Sequence, residues 1–181
     1  MSANSINAND DLKKVIRQVP DFPKPGILFY DITTLLAHGP SFRLAVDRIA
    51  DRFADQKIDR VLAIDARGFL FGAGVAYKLK VGLAPVRKKG KLPFRTISAT
   101  YELEYGTDSV EIHEDAIKPG ERVLIVDDLL ATGGTAGAAL ELVKRSGGEV
   151  VAAAFVIELS FLHGRRKLTG IPVFSLVQYD L

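Results

Sequence analysis

The sequence predicts an α/β fold: a mostly parallel central sheet flanked by helices, with an inserted β-hairpin lid. Three observations carry that expectation. Short apolar runs rich in β-branched residues recur from about residue 60 onward. Between them lie segments whose apolar residues return at helical spacing, and strands alternating with helices imply parallel pairing through right-handed crossovers. One stretch, RTISATYELEYGTDSVEIH at residues 95–113, breaks the rhythm. It is polar, aromatic and alternating, as expected of a hairpin turning near Gly106.

Each element can be justified in order. Leu12, Val15, Ile16 and Val19 fall at helical spacing behind Asn9 or Asp10 as a cap, so a first helix is expected there. PDFPKPG stops it, because three prolines and a glycine in seven residues cannot continue a helix. Phe42, Val46, Ile49 and Phe53 mark a second amphipathic helix. RVLAI then reads as a strand, FLFGAGVAYKLK as a helix and GLAPVR as a strand. RVLIV is a strand again, TAGAALELVKR a helix closed by Gly147 and Gly148, EVVAAAFVIEL a strand and PVFSLVQY a last edge strand.

Composition sets the outer limits. A chain of 181 residues, 48% hydrophobic and 25% charged, suits one globular domain over residues 1–181. Within it, residues 1–10 are expected to be a mobile arm and residues 95–113 a flexible lid. A net charge of +2 gives little reason to expect a nucleic-acid partner. Without cysteine there are no disulfides, thiol nucleophiles or thiolate metal sites. No apolar run is long enough to span a membrane, and MSANSINANDD lacks the basic and apolar regions of a signal peptide. A cytoplasmic protein, bound to neither membrane nor nucleic acid, is expected.

Three motifs each follow a predicted strand and so should share one sheet edge, where parallel α/β sheets bind ligands. They are DARGF at 65–69, RKKGK at 87–91 and DDLLATGGT at 127–135. In the last, Thr132, Gly133, Gly134 and Thr135 open a helix, leaving backbone N–H groups free for a phosphate. Asp127 and Asp128 would repel that phosphate if they faced it. They make sense facing something neutral or cationic joined to it, such as sugar hydroxyls or a bound metal. No lysine follows these glycines, as a Walker loop requires, and the glycines do not directly follow the strand, as a dinucleotide fingerprint requires. A nicotinamide-dependent oxidoreductase is disfavoured on that ground. Arg67, before Gly68, and the cation-rich RKKGK run suit a polyphosphate. His38, His113 and His163 show no metal-ligand spacing.

Taken together, these residues resemble a known family. VLIVDDLLATGGT is similar to the phosphoribosyl-pyrophosphate signature of type I phosphoribosyltransferases. FPKPGILFYDIT, ARGFLFG, RKKGKLP and YELEYGTDSVEIH resemble the adenine phosphoribosyltransferase family in particular. The resemblance implies a type I phosphoribosyltransferase-like fold and transfer of ribose 5-phosphate from phosphoribosyl pyrophosphate to adenine. AMP and pyrophosphate would be the products, in purine salvage. It implies that Ala131, Thr132, Gly133, Gly134 and Thr135 cradle the 5′-phosphate while Asp127 and Asp128 accept from the ribose diol. Arg67, Arg87, Lys88 and Lys91 would serve the pyrophosphate, and Mg²⁺ would arrive on the substrate with no direct protein ligand. Leu28, Phe29 and Tyr30 would hold adenine, Tyr30 standing where the family often carries arginine. Glu104 and Tyr105 match the closing loop, with Glu104 handling a proton. A homodimer in which Arg87 reaches the partner's site is implied as well. The alternative is a phosphoribosyl-pyrophosphate-binding regulatory protein of the same fold, which would be expected to carry an added nucleic-acid module.

Overall fold

The computed structural model of the chain describes residues 10–102 and 106–180. It opens with a single helical turn, α1 (Asp10–Lys13), and an antiparallel ribbon of β1 (Arg17–Pro20) and β2 (Leu28–Asp31). The helix expected over residues 12–19 therefore gives out after one turn. Leu12 and Ile16 are buried, as helical spacing required. From Arg17, however, pairing with β2 supplies the backbone partners, and the β-branched Val19 favours the strand. Of the expected N-terminal arm, residues 1–9 lie outside the described residues.

Two helices follow, α2 (Thr33–Ala37) and α3 (Gly39–Phe53), and then the alternation read from the sequence. It comprises β3 (Arg60–Ile64), α4 (Gly68–Leu79), β4 (Gly82–Lys88), β5 (Thr96–Glu102) and β6 (Thr107–His113). It continues with β7 (Arg122–Leu130), α5 (Gly134–Arg145), β8 (Glu149–Leu159) and β9 (Val173–Tyr179). The main sheet runs β5-β6-β4-β3-β7-β8-β9. β4, β3, β7, β8 and β9 are mutually parallel, and β9 is the edge strand.

Both faces of the parallel part are covered, which is why its strands are continuously apolar. Val61, Leu124, Val126, Ala154 and Val156 pack toward α3 and α4. The alternating Leu62, Ile64, Val123, Ile125 and Phe155 pack toward α5. Helix α4 lies close on β3 because Gly72 has no side chain; a Cβ there would run into that of Ala63.

The hairpin expected at 95–113 is formed by β5 and β6, with Gly106 at φ +88°. Its root belongs to the sheet, since β6 pairs antiparallel with the end of β4. Leu103, Glu104 and Tyr105 lie outside the described residues. The strand order fixes the position of the site. From β3 the chain moves out to β4 on one side, while β7 lies on the other, so the loops after β3 and β7 diverge and leave a crevice between them.

Candidate active site

Two loops meet at that crevice. After β3 come Asp65, Ala66 and Arg67, with a cis peptide between Asp65 and Ala66, before α4 starts at Gly68. Across from them β7 runs on beyond the apolar stretch and carries Asp127 and Asp128 inside the strand, 9% and 7% exposed. Gly68 is pressed on this pair: a Cβ there would sit 2.6 Å from Asp127 Oδ1. The backbone N–H of Asp128 donates to Asp127 Oδ1 at 2.8 Å, and Arg67 Nε donates to Asp128 Oδ2 at 2.5 Å.

The strand then gives way to the cradle. Residues 129–136, together with Asp127, line a small concavity of about 80 Å³. Gly133 adopts φ +78° just before α5, so the first N–H groups of a 12-residue helix are turned outward with the positive end of its dipole. Gly133 is also packed on the backbone of Gly164, which leaves no room for a Cβ there, and Gly164 in turn is packed on the carbonyl of Ala131.

On the other side of Arg67 lies a cavity of about 570 Å³, lined by Val19, Phe22, Phe29, Asp31, Ile32, Thr33 and Arg67. Phe22 and Phe29 meet edge to face at 5.1 Å, providing aromatic walls. The carboxylate of Asp31 accepts from the Thr33 hydroxyl at 2.7 Å and the Thr33 N–H at 2.9 Å, and both hold its pKa below the usual range. Phe29 lines this cavity, but the side chains of Leu28 and Tyr30 do not. Tyr30 stacks on Tyr179 at 3.8 Å and packs against the core. Strand alternation puts Leu28 on the same side as Tyr30, leaving only their backbone toward the cavity side.

The basic run is less uniform than its sequence suggests. Arg87 Nε donates to Asp65 Oδ2 at 3.2 Å, and Lys88 pairs with Asp108 of β6 at 3.2 Å, whereas Lys91 is exposed. Asp65, Asp31 and Phe22 were not singled out by the sequence reading. The signal for Asp65 was present, as an acid at a strand end beside a cluster of cations. Asp31 and Phe22 depend on a ribbon with no periodic pattern of its own. Among the described residues no group of three or more His, Asp or Glu side chains could hold a metal ion. Cavity, Arg67, Asp128, Asp127 and cradle thus adjoin one another in that order.

Residues 32–169 match the family model described as the phosphoribosyl transferase domain. The chain is 60% identical over 170 residues to an adenine phosphoribosyltransferase of Solibacter usitatus, covering 94% of this chain and 98% of that one. Among solved structures, it is similar to the adenine phosphoribosyltransferase of Thermoanaerobacter pseudethanolicus, with TM-score 0.91 and 52% identity over 94% and 99% of the two chains. It is likewise similar to that of Saccharomyces cerevisiae, with TM-score 0.88 and 44% identity over 93% and 97%. The latter was crystallised with adenine and an imino-altritol bisphosphate. The chain belongs to the adenine phosphoribosyltransferase family.

For a member of this family the electrostatics are informative. Burial, followed by the adjacent Asp128 charge, pushes the Asp127 carboxyl well above the usual carboxylate range. Burial opposes the Arg67 charge, but its hydrogen bond to Asp128 and the surrounding carboxylates leave its pKa above the ordinary value. The acid pair is therefore costly to the free fold, and Arg67 compensates on one side only. A carboxyl whose pKa is raised by folding contributes most favourably below its unfolded pKa of about 3.9 and loses that contribution as pH rises through the folded value. Asp127→Asn, which keeps the acceptor for the Asp128 N–H, should therefore melt higher than the parent at pH 8, with the gap closing toward pH 4. A gain of about 1 kcal/mol would raise the melting temperature by about 2–4 °C for a chain of this size. Thermal melts across that range check this, and a lower melting temperature at pH 8 would count against it.

Proposed function

We infer that this enzyme transfers ribose 5-phosphate from phosphoribosyl pyrophosphate to adenine, giving AMP and pyrophosphate in purine salvage. One observation carries the reading. The aromatic cavity, the acid pair and the cradle at the start of α5 follow one another in the same order as base, ribose and 5′-phosphate in AMP. The relatives named above and the adenine bound in the yeast enzyme support it.

In this reading the N–H groups of residues 131–135 bind the 5′-phosphate, and Asp127 and Asp128 accept from the 2′- and 3′-hydroxyls. The same carboxylates stabilise the positive charge that develops at C1′ as its bond to the pyrophosphate oxygen breaks and the bond to adenine N9 forms. Phe22 and Phe29 enclose the base, while backbone groups of the ribbon read its edge. Arg67, Arg87, Lys88 and Lys91 neutralise the leaving pyrophosphate. Mg²⁺ carried by the substrate, with no direct protein ligand, would supply further charge neutralisation there. The proton lost from N9 falls to Glu104, which lies outside the described residues, and exclusion of water protects the cation at C1′. Such phosphorylated substrates place the reaction in the cytoplasm. No helix among the described residues is long and apolar enough to cross a membrane.

Adenine with phosphoribosyl pyrophosphate and Mg²⁺ should yield AMP and pyrophosphate, and chelating the metal should stop the reaction. Hypoxanthine and guanine should be at least about a hundredfold poorer, because an oxo group at position 6 leaves the site's acceptor unpaired. Equal turnover of hypoxanthine would contradict the assignment to adenine.

A homodimer is the proposed working form. Leu70 and Tyr77 on α4, 48% and 88% exposed, and Leu83 on β4, 40% exposed, suit burial against a second copy. Arg87 leans on its own Asp65 through a partly exposed pair at 3.2 Å and on the Lys91 carbonyl at 3.4 Å, contacts open enough to water to be exchanged for a partner's site. Mixing Arg87→Ala chains with Asp127→Ala/Asp128→Ala chains should regenerate one intact site in some mixed dimers. Absence of recovered activity despite demonstrated subunit exchange would mean that Arg87 serves its own chain.

A further inference from the structure

The return strand of the hairpin carries a buried carboxylate to which the proposed reaction assigns no task. Glu111, in the middle of β6, is 4% exposed and lies opposite Arg87 in the β4–β6 ladder. Among the described residues no lysine or arginine forms an ion pair with it. Its partners are instead neutral donors. Oε1 accepts from the backbone N–H of Gly90 at 3.0 Å and of Leu92 at 3.2 Å, and Oε2 accepts from the Thr96 hydroxyl at 3.2 Å. A carboxylate buried without a cation is costly unless such donors satisfy it, so the arrangement calls for a reason.

The identity of the donors supplies one. All three come from residues 90–96, and the two backbone groups flank Lys91. The chain turns at Gly90, φ +82°, immediately after Arg87, Lys88 and Lys89. Four like charges in five residues repel one another and would open the turn. A negative charge beneath the turn opposes that repulsion, while its two backbone hydrogen bonds fix the direction in which Lys91 leaves the chain. The same strand acts at a second point, where Asp108 pairs with Lys88 at 3.2 Å. The strand β6 thus templates the basic loop from below, at Glu111, and from the side, at Asp108.

We propose that Glu111 is a positioning residue that preforms the basic loop of residues 87–92 for the diphosphate group of the substrate. It touches neither substrate nor reacting atoms, and acts through the loop backbone. The proposal rests on the reading that this loop binds pyrophosphate, and holds whether the loop serves its own site or a partner's. It also gives the hairpin a task of its own, since its return strand holds the loop that grips the leaving group.

AMP lacks the diphosphate and so separates this role from a general structural one. Glu111→Leu fills the buried space without offering an acceptor, and Glu111→Gln keeps the shape and one acceptor oxygen. In the leucine variant the affinity for pyrophosphate should fall by about tenfold and the KM for phosphoribosyl pyrophosphate should rise to match, on the scale of lost hydrogen bonds to a charged group. AMP binding should stay within about twofold, and the glutamine variant, which keeps an acceptor for the two backbone amides but not the charge, should recover only part of the loss. An unchanged pyrophosphate affinity in the leucine variant, or an equal loss for AMP, would overturn the proposal. Lys91→Ala and Arg87→Ala, measured alongside, test the underlying reading. If they weaken pyrophosphate binding while Glu111→Leu does not, only the positioning role falls; if neither weakens it, the loop's assignment falls as well. Amide hydrogen exchange on the parent protein gives a measurement independent of any variant's folding. The Gly90 and Leu92 amides should be protected before pyrophosphate is added, and exchange at unstructured-chain rates would overturn the proposal.

Discussion

Two adjacent carboxylates at the buried end of a parallel strand are the constraint on which the rest of this structure depends. Asp127 and Asp128 cannot both be charged in a dry site without a cation close by. The strand order provides one, because the reversal between β3 and β7 sets the loop carrying Arg67 directly across from them. Gly68 then has to be glycine, since Asp127 occupies the space a side chain would need. In the proposed reading the start of α5 has to follow within a few residues, because its free N–H groups would take the anion attached to the sugar that these acids would bind. Fold and site are in this sense one arrangement.

Three of the basic side chains at the crevice are held in internal pairs. Arg67 rests on Asp128, Arg87 on Asp65 and Lys88 on Asp108. In the proposed reading a substrate carrying a diol and a diphosphate would take over both members of the first pair, its hydroxyls going to the acid and its phosphates to the guanidinium. The pairs keep a crowded, strongly charged crevice stable in the absence of substrate. They differ in cost to replace: Asp128 is buried, whereas the Lys88 and Arg87 pairs are partly open to water and screened.

Much of the parallel core was legible because buried strands and amphipathic helices have periods that a linear sequence displays. RVLAI is β3 residue for residue, and EVVAAAFVIEL is β8. The first helix was misjudged because Leu12 and Ile16 keep helical spacing for the sake of burial while the backbone beyond them finds strand partners in β2. The ribbon itself and α2 were not read, being short segments beside three prolines with no periodic pattern. At the site, contiguous features were legible, namely the acid pair, the glycine-rich turn and the cation run. What was not legible is which charges meet. Arg67 and Asp128 are 61 positions apart, and Glu111 reaches Gly90 and Leu92 across a strand pairing, so both contacts exist only once the topology is set.

The central claim is that the buried acid pair is there to read the ribose diol. Calorimetric affinities of AMP and of its 2′,3′-dideoxy analogue, for the parent and for the Asp127→Ala/Asp128→Ala variant, test it most directly. Hydrogen bonds to a charged acceptor are worth roughly 1.5–3 kcal/mol each, about one to two decades in affinity. The parent should therefore prefer AMP by at least about tenfold, and the variant should bind the two nucleotides within about twofold of each other. A variant that keeps the parent's preference would show that the diol is read elsewhere and that the acid pair serves some other end.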